Sequence, residues 1–341
     1  MLISRILFNN QIYFTIHAEQ SVSWALINEP GTGVFEETLF KDTLERILSE
    51  GDLNKDFDTI LDFDNILICQ NNLYELIKEI KNNSKSLTLL NVNVSTIKKL
   101  NLSIFNNTNN TRIDRIYTSF FVSEENKIEY EIISDIFKNE FIEYLKLNSK
   151  NSTKENSLIF HHSSSIYLNK YIDVKSMITN KKEFFLLALY HLALKTKKHW
   201  KNLINSPNRP ILVCQNLNSA YITSIMSSYL GFDILILDKI GPINELYSNL
   251  DNKIEEGQNY LVVSDVVCLG TEIKITKNLI NYLGGNYIGN ISVVRIQTAH
   301  PTSKVYDDVE SVFEITKEDN PINYQIITSL DDKFLNEKNN E

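Results

Sequence analysis

Two kinds of spacing between apolar residues alternate along the first half of the chain. Apolar runs of roughly four to eight residues are typical of strands, whereas apolar residues three and four positions apart are typical of helices. Runs of the first kind predict strands at Arg5 to Phe8, Ile12 to His17, Val22 to Ile27, Thr59 to Phe63, Ser86 to Val92 and Ile116 to Val122. Helical spacing predicts helices at Phe35 to Ser49, Leu73 to Ile80, Val94 to Leu100 and Ile133 to Leu147. This alternation predicts a small α/β sandwich.

Polar segments without periodicity predict where this module ends. Residues 101–111 are rich in asparagine, and we expect a loop there. The stretch NSKNSTKENS at residues 148–157 has no periodicity of apolar residues, and we interpret it as a linker between the two domains. We therefore expect an N-terminal α/β module at residues 1–147 and a second domain at residues 158–330. The tail at residues 331–341 is expected to be disordered.

The second half has a more regular pattern, in which short apolar strands are separated by helices. The predicted strands are Leu158 to Phe160, Ile211 to Cys214, Asp233 to Leu237, Tyr260 to Val263 and Ile288 to Ile296. The predicted helices are Lys182 to Trp200, Asn218 to Leu230 and Ile273 to Leu283, and a long polar loop is expected at Ile240 to Gln258. Such a pattern predicts a mostly parallel sheet flanked by helices. Ligands of these sheets bind beyond the carboxyl ends of the strands.

Composition and charge exclude several classes of function. Hydrophobic residues make up 43% and charged residues 23% of the 341 residues, as in an ordinary globular chain. The net charge of −9 argues against a general nucleic-acid binder, because phosphate backbones require clustered Lys and Arg. No apolar run approaches the ~20 residues of a membrane span, and the first residues do not resemble a signal peptide. Three widely spaced cysteines suggest neither disulfides nor a zinc site, so we expect a cytoplasmic protein.

The segment YLVVSDVVCLGTEI, at residues 260–273, is the best candidate for a binding site. A buried strand leads to Asp265, a loop with Gly270 follows, and a helix begins. The N-terminus of a helix favours a phosphate, and Asp265 could accept hydrogen bonds from sugar hydroxyls. Cys268 in the same loop could have a lowered thiol pKa, although no base that would activate it is visible nearby. The alternative is an ordinary connection between a strand and a helix.

Residues 261–273 resemble the phosphoribosyl-pyrophosphate (PRPP) motif of type I phosphoribosyltransferases. That motif has four apolar residues, two acids, two apolar residues and a loop rich in Thr and Gly. Phe160 to Asp173 resembles the hood segment of orotate phosphoribosyltransferases. Ile211 to Pro242 resembles their strand, helix, strand and lysine-containing turn, with Lys239 at the position of the lysine. Ile243 to Gln258 falls where their flexible catalytic loop lies.

The resemblance implies a protein that binds PRPP with Mg²⁺ and transfers phosphoribose to a nitrogen base. It implies that Asp265 contacts the ribose hydroxyls and has an indirect role toward Mg²⁺, and that Lys239 faces pyrophosphate. The residues implied at the 5′-phosphate are those of the loop and the start of the helix, namely Cys268, Leu269, Gly270, Thr271 and Glu272. The residues implied on the pyrophosphate loop are Asn216, Leu217, Asn218 and Ser219.

The chain departs from the family pattern at each of these places. Ser264 replaces the first of the two acids, and Glu272 adds a negative charge beside the phosphate loop. The pyrophosphate loop at residues 215–219 contains no glycine, and the flexible loop has four acids but only Lys253 as a cation. Two hypotheses therefore stay open. One is a Mg²⁺-dependent phosphoribosyltransferase, and the other is a catalytically degenerate ligand-sensing or docking subunit, with a regulatory role.

Phe57 to Leu100 resembles a STAS-type domain, the fold of sulphate-transporter and anti-sigma-antagonist modules. The phosphorylated Ser of regulatory STAS domains would fall near Cys69, where this chain has no Ser. The resemblance implies a docking module with a protein partner, and a generic α/β sandwich is the alternative. We expect a homodimer or a subunit of a larger assembly, without membrane association.

Overall fold

A computed structural model describes residues 2–8, 11–17, 33–35, 45, 47–48, 55–62, 66–69, 74–90, 106–111, 116–121, 130–151, 159–161, 166–204, 208–237, 254–297 and 308–327. The chain forms two compact units, Met1–Glu140 and Phe141–Glu341. No helix in the described ranges is long and apolar enough to cross a membrane. The predictions for residues 22–27, 94–100 and 331–341 lie outside the described residues, as does most of the expected loop at residues 240–258.

The first unit contains a six-stranded sheet of mixed direction. Its strands, in spatial order, are β1 (Leu2–Phe8), β2 (Gln11–His17), β4 (Asp58–Asp62), β6 (Ser86–Leu90), β8 (Ile116–Phe121) and β7 (Asn106–Thr111). The central strands β2, β4 and β6 are parallel, and the other pairs are antiparallel. Strands β3 (Gly33–Phe35) and β5 (Ile66–Cys69) form a separate parallel pair. Helix α1 (Tyr74–Asn82) precedes β6, whose five residues are all buried.

Our prediction of a loop at residues 101–111 is wrong for β7. The strand pairs with β8 along its full length, from Asn106 opposite Phe121 to Thr111 opposite Ile116. Asparagine has low strand propensity, but β7 is an edge strand whose backbone is paired by its neighbour. Pairing between distant residues therefore outweighs local preference here. The α/β prediction for this unit is confirmed, and the STAS resemblance stays a prediction.

Helix α2 (Tyr130–Leu147) contains the boundary between the two units. It is followed by β9 (Ser149–Asn151), which pairs antiparallel with β12 (Lys170–Ile172). These three residues lie within the segment that we expected to be a linker. Their polar sequence does not predict a strand. The strand forms because β12, about twenty residues later in the chain, pairs with it. The domain bounds given above stay a prediction.

The second unit is built on a five-stranded, fully parallel sheet. Its strands, in spatial order, are β14 (Ile234–Ile236), β13 (Ile211–Cys214), β15 (Asn259–Val267), β16 (Asn286–Ile296) and β17 (Val309–Ile315). Its helices are α3 (Val174–Thr179), α4 (Lys182–His199), α5 (Lys201–Ile204), α6 (Leu217–Leu230) and α7 (Thr271–Tyr282). A small antiparallel sheet joins β10 (Ile159–His161), β11 (Ile166–Leu168) and β18 (Ile326–Ile327). The predicted parallel α/β architecture is confirmed.

Helices α6 and α7 cover opposite faces of this sheet. Val262 of β15 packs in one cluster with Ile280 of α7, whereas Asp265 of β15 is bonded to Asn218 of α6. Successive side chains of a strand point to opposite faces, so residues 262 and 265 belong to different faces. The chain leaves β13 toward β14 and then crosses back to β15, so strand order reverses between β13 and β15. Ligands of open parallel sheets bind at such a switch point.

Strand β15 is longer than the sequence predicts. We expected it to end near Val263, but its register with β16 continues through Ser264 opposite Ser292 to Val267 opposite Arg295. Ser264 and Asp265 therefore lie within the strand, and the loop begins only after Val267.

Candidate functional site

A cavity of about 220 Å³ lies where β13 and β15 end, at the switch point of the sheet. It is bounded by the starts of both α6 and α7 and by residues from β11, β12 and the segment before β18. The lining residues are Leu168, Tyr171, Ile172, Asn216, Ser264, Asp265, Val266, Val267, Cys268, Leu269, Gly270, Thr271, Glu272, Ile273 and Tyr324. Most of the residues that the sequence predicts to form the binding site therefore line this cavity.

Asp265 is held in one orientation by two hydrogen bonds. Asn218 Nδ2 donates to Asp265 Oδ2 at 3.1 Å, and the backbone N–H of Val266 donates to Asp265 Oδ1 at 2.8 Å. A carboxylate has about four lone-pair positions, so both oxygens can accept further bonds from a ligand. This arrangement suits the recognition of hydroxyl groups.

The start of α7 is a helix N-terminus without a side-chain cap. Its N-cap residue is Gly270, which has φ +66° in the left-handed region, and no side chain makes a capping hydrogen bond there. Only glycine adopts this backbone conformation without strain. The first amides of a helix have no intrahelical acceptor, and the helix dipole is positive at this end. This end of the cavity is therefore suited to an anion.

The start of α6 is capped by its own side chains. The backbone N–H of Ser219 donates to Asn216 Oδ1 at 2.8 Å, and the N–H of Asn216 donates to Ser219 Oγ at 3.1 Å. This is a capping box, which satisfies two amide donors reciprocally. Leu217, the first residue of the helix, is 85% exposed and does not line the cavity. At the start of α6, the amides of Asn216 and Ser219 therefore have their acceptors within the chain.

Ser264 stands where the family motif has its first acid. Its hydroxyl accepts a hydrogen bond from Asn290 Nδ2 at 2.9 Å, from the neighbouring strand β16. Asn290 and Ser292 are completely buried beside it, and neither Asn290 Oδ1 nor Ser292 Oγ has a hydrogen-bond partner in the structure as described. The position next to Asp265 is therefore polar but carries no charge.

Cys268 is a half-buried thiol in the loop before α7. Its Sγ lies 4.0 Å from the hydroxyl of Tyr324. Burial raises the pKa of the Cys268 thiol to about 11, although the hydrogen bond from Tyr324 acts in the opposite direction. The direction is opposite to the lowered pKa that the sequence left open for Cys268, because burial removes the water that would stabilise a thiolate.

Two tyrosines form the aromatic part of the cavity wall. Tyr171 of β12 is 47% exposed, and its pKa is raised by burial and by the negative charges of Asp265 and Asp173. Tyr324 is buried, and its backbone N–H and C=O are both bonded to the side-chain amide of Asn320. Tyr171 lies inside the segment that resembles a hood. The sequence pattern gave no indication of Tyr324, which is brought to the site by the pairing of β18 with β11.

Asp265 and Glu272 are the charged groups of the cavity wall, and no Lys, Arg or His is present among its described residues. Glu272 is exposed in the first turn of α7. Lys239 lies outside the described residues. Within the described ranges, no group of three His, Cys, Asp or Glu side chains could hold a metal ion. The roles that we assigned to the individual site residues stay predictions.

No protein-family model and no curated protein sequence matches the chain. Solved structures are similar to part of it. Orotate phosphoribosyltransferase from Aeropyrum pernix is 13% identical over 51% of this chain and 93% of its own, with a TM-score of 0.35. Adenine phosphoribosyltransferase from Rhodothermus marinus is 14% identical over 52% of this chain and 99% of its own, with a TM-score of 0.35. HGPRT-ase from Leishmania tarentolae, in complex with GMP, is 13% identical over 40% and 79%, with a TM-score of 0.32. Part of the chain is thus structurally similar to type I phosphoribosyltransferases, at low sequence identity.

Proposed function

We propose that the cavity binds the ribose 5-phosphate part of PRPP or of a nucleotide. One observation carries the proposal: Asp265 and the N-terminus of α7, which has no side-chain cap, line the same cavity at the switch point of a parallel sheet. A carboxylate suits sugar hydroxyls, and a helix N-terminus suits a phosphate. Together they suit a sugar that carries a phosphate.

The ligand is oriented by groups at different sides of the cavity. The phosphate lies at the loop of residues 268–272, where backbone amides and the dipole of α7 attract it. The ribose hydroxyls donate to Asp265, whose carboxylate is kept in place by Asn218. A base attached to the ribose stacks on Tyr171, the half-exposed ring of the wall.

Mg²⁺ fits this cavity only when phosphate oxygens of the ligand also coordinate it. The described carboxylates of the cavity are Asp265 and Glu272. Mg²⁺ is commonly held by one or two carboxylates together with phosphate oxygens of a substrate, and it keeps several waters. Asp265 would hold it in that way, and the ion would neutralise part of the phosphate charge.

We favour binding without turnover. Transfer of phosphoribose requires groups that stabilise the departing pyrophosphate, and these are normally cations. The described wall of the cavity contains two acids and no cation, and Ser264 is bonded to Asn290 in place of a second carboxylate. The second candidate function is Mg²⁺-dependent transfer of phosphoribose to a nitrogen base, with Lys239 at pyrophosphate. The observation in its favour is the oriented carboxylate of Asp265.

Titration calorimetry tests the proposal, with ribose 5-phosphate, nucleoside 5′-monophosphates and PRPP, each with and without Mg²⁺. We expect binding of at least one of these ligands, and we expect Asp265→Ala to weaken it at least tenfold. Asp233→Ala is the matched control, because Asp233 is an exposed acid directly before β14 that does not line the cavity. No heat with any of the ligands would refute the proposal.

A pyrophosphate-release assay with purine and pyrimidine bases separates the two candidates, because only the transferase releases pyrophosphate. We also propose that the N-terminal module binds a protein partner, that the protein forms a homodimer or a larger assembly, and that it is cytoplasmic. Native mass spectrometry of the protein purified from its own host would identify a retained nucleotide, a second copy or a partner.

A further inference from the structure

On the basis of the proposed function, we infer that Ser264 donates a hydrogen bond to a hydroxyl of the ligand's ribose, so that the cavity selects ribose over deoxyribose. Asp265 accepts hydrogen bonds from the same sugar. The two adjacent residues thus present a donor and an acceptor to one pair of neighbouring hydroxyls. Ser264 is then a residue that determines specificity for the sugar.

The hydroxyl of Ser264 has a proton to donate. The side-chain nitrogen of Asn290 can only donate, so the Ser264 oxygen is the acceptor of the 2.9 Å bond between them. A serine hydroxyl has one proton and two lone pairs, and this bond uses only a lone pair. Among the described residues, no acceptor contacts that proton. Ser264 lines the cavity, so a bound ligand can supply the acceptor.

Asn290 directs this proton toward the cavity. Asn290 is completely buried in β16, whereas Ser264 is half-buried and has its open side at the cavity. The N–H of Asn290 therefore approaches the Ser264 oxygen from the interior of the protein. Because two protons repel each other, the O–H of Ser264 points away from that N–H. Asn290 is thus a positioning residue, which acts on the ligand through Ser264.

Ser264 and Asp265 complement each other toward a pair of neighbouring hydroxyls. Asn218 holds the carboxylate of Asp265, which can only accept hydrogen bonds. Each ribose hydroxyl can both donate and accept, so the sugar can donate to Asp265 and accept from Ser264. A deoxyribose lacks one of these hydroxyls and leaves one of the two residues without its partner. A site built to bond a hydroxyl rejects the analogue that lacks it.

The neutral charge of Ser264 suits a ligand that carries a phosphate. Asp265 and Glu272 already place two acids in the described wall of the cavity. A third carboxylate at position 264 would add repulsion toward the phosphate. Ser264 therefore contacts the sugar without adding negative charge.

Calorimetry on the full-length protein tests the inference. The ligands are ribose 5-phosphate, adenosine 5′-monophosphate and uridine 5′-monophosphate, each beside its 2-deoxy and 3-deoxy analogues. We expect each deoxy analogue to bind at least fivefold more weakly than its parent. In Ser264→Ala, we expect this loss to shrink at least threefold for one of the two analogues, the one without the hydroxyl that Ser264 contacts. Ser292→Ala is the matched control, because Ser292 is a completely buried serine opposite Ser264 that does not line the cavity.

The variant Asn290→Leu tests whether Asn290 acts through Ser264. Leucine is close to asparagine in shape and cannot donate, so the hydroxyl of Ser264 loses its orientation. We expect the loss for the same analogue to shrink at least twofold, and we expect no further change when Ser264→Ala is added. Independent, additive effects of the two substitutions would refute the positioning role of Asn290.

Equal binding of the parent ligands and both analogues overturns the inference and leaves the proposed function intact. Losses that do not shrink in Ser264→Ala, or that shrink equally in Ser292→Ala, overturn it as well. No binding of any of these ligands also overturns it, and the proposed function fails with it if PRPP gives no heat either.

Discussion

Asn218 and Asp265 join the first turn of α6 to the end of β15 by a hydrogen bond of 3.1 Å between Nδ2 and Oδ2. The bond fixes the carboxylate of Asp265 before any ligand arrives. Because the donor lies on a helix and the acceptor on a central strand, both groups belong to rigid elements. The ligand therefore meets an acceptor that is already oriented.

Removal of this donor should weaken binding of the sugar. We expect Asn218→Ala to reduce the affinity for a phosphorylated ribose about three- to tenfold, because a hydrogen bond to a charged group is worth ~1.5–3 kcal/mol and water replaces part of it. Calorimetry measures the change. Ser228→Ala, at a half-buried position of α6 outside the cavity, should leave the affinity unchanged. Equal affinity in the Asn218→Ala variant would contradict the orienting role.

Glu272 should oppose phosphate binding, because this acidic residue lines the cavity at the start of α7. We expect Glu272→Gln to raise the affinity for a phosphomonoester about two- to tenfold at low salt. The gain should shrink as ionic strength rises, because salt screens the repulsion. Glu255→Gln makes the same change of charge at an exposed residue before β15, away from the cavity. A loss of affinity in Glu272→Gln would show that the carboxylate binds the ligand or its metal.

Gly270 and Gly231 form a matched pair of left-handed glycines. Their φ angles are +66° and +69°, and Gly231 ends α6 with no atom near the place of a Cβ. We expect alanine at either position to lower the free energy of unfolding by about 1–2 kcal/mol, from backbone strain. Only Gly270→Ala should weaken ligand binding, since it alters the start of α7. Denaturant unfolding and calorimetry measure the two effects, and equal binding losses in both variants would refute the local role of Gly270.

The Cys268 thiol should be unreactive at neutral pH. Its pKa is raised from 9.0 to about 11, so the thiolate is scarce below pH 9 in the folded protein. We expect slow alkylation by iodoacetamide at pH 8 and a rate that rises up to pH 11, monitored by mass spectrometry of the Cys268 peptide. Rapid alkylation at pH 8 under native conditions would contradict the effect of burial.

The same pKa determines how Cys268 affects stability. Because its pKa is higher in the folded state, the protonated thiol stabilises the fold below pH 9, and this contribution is lost as the pH rises toward 11. The difference in unfolding free energy between wild type and Cys268→Ala should therefore decrease over that interval. A difference that is independent of pH would contradict the assignment.

The parallel sheet of the second unit could be predicted because its strands are short and apolar. The predicted strand Ile211 to Cys214 agrees with β13, and the predicted helix that begins near Asn218 and ends before Gly231 differs from α6 by one residue. Such elements are specified locally, by burial on both faces and by a helix-ending glycine. The type of each element follows from its own residues.

Features that depend on distant pairing could not be predicted in this way. Strand β7 is a run of Asn and Thr that becomes a strand only because β8 pairs with it. Tyr324 reaches the cavity because β18 pairs with β11, more than 150 residues earlier in the chain. The capping box of Asn216 and Ser219 did have a local signal, an Asn followed three residues later by a Ser.

The hydrogen bond from Asn290 to Ser264 determines what an acid at position 264 would meet. A donor already points at residue 264, from a strand that is buried and fixed. The carboxylate of an aspartate introduced there would have Asn290 Nδ2 as a hydrogen-bond donor, so one substitution would give the strand two adjacent acids, the first of which has a donor in place. Ser264 is thus the position at which a single change would place the first acid of the paired motif next to Asp265.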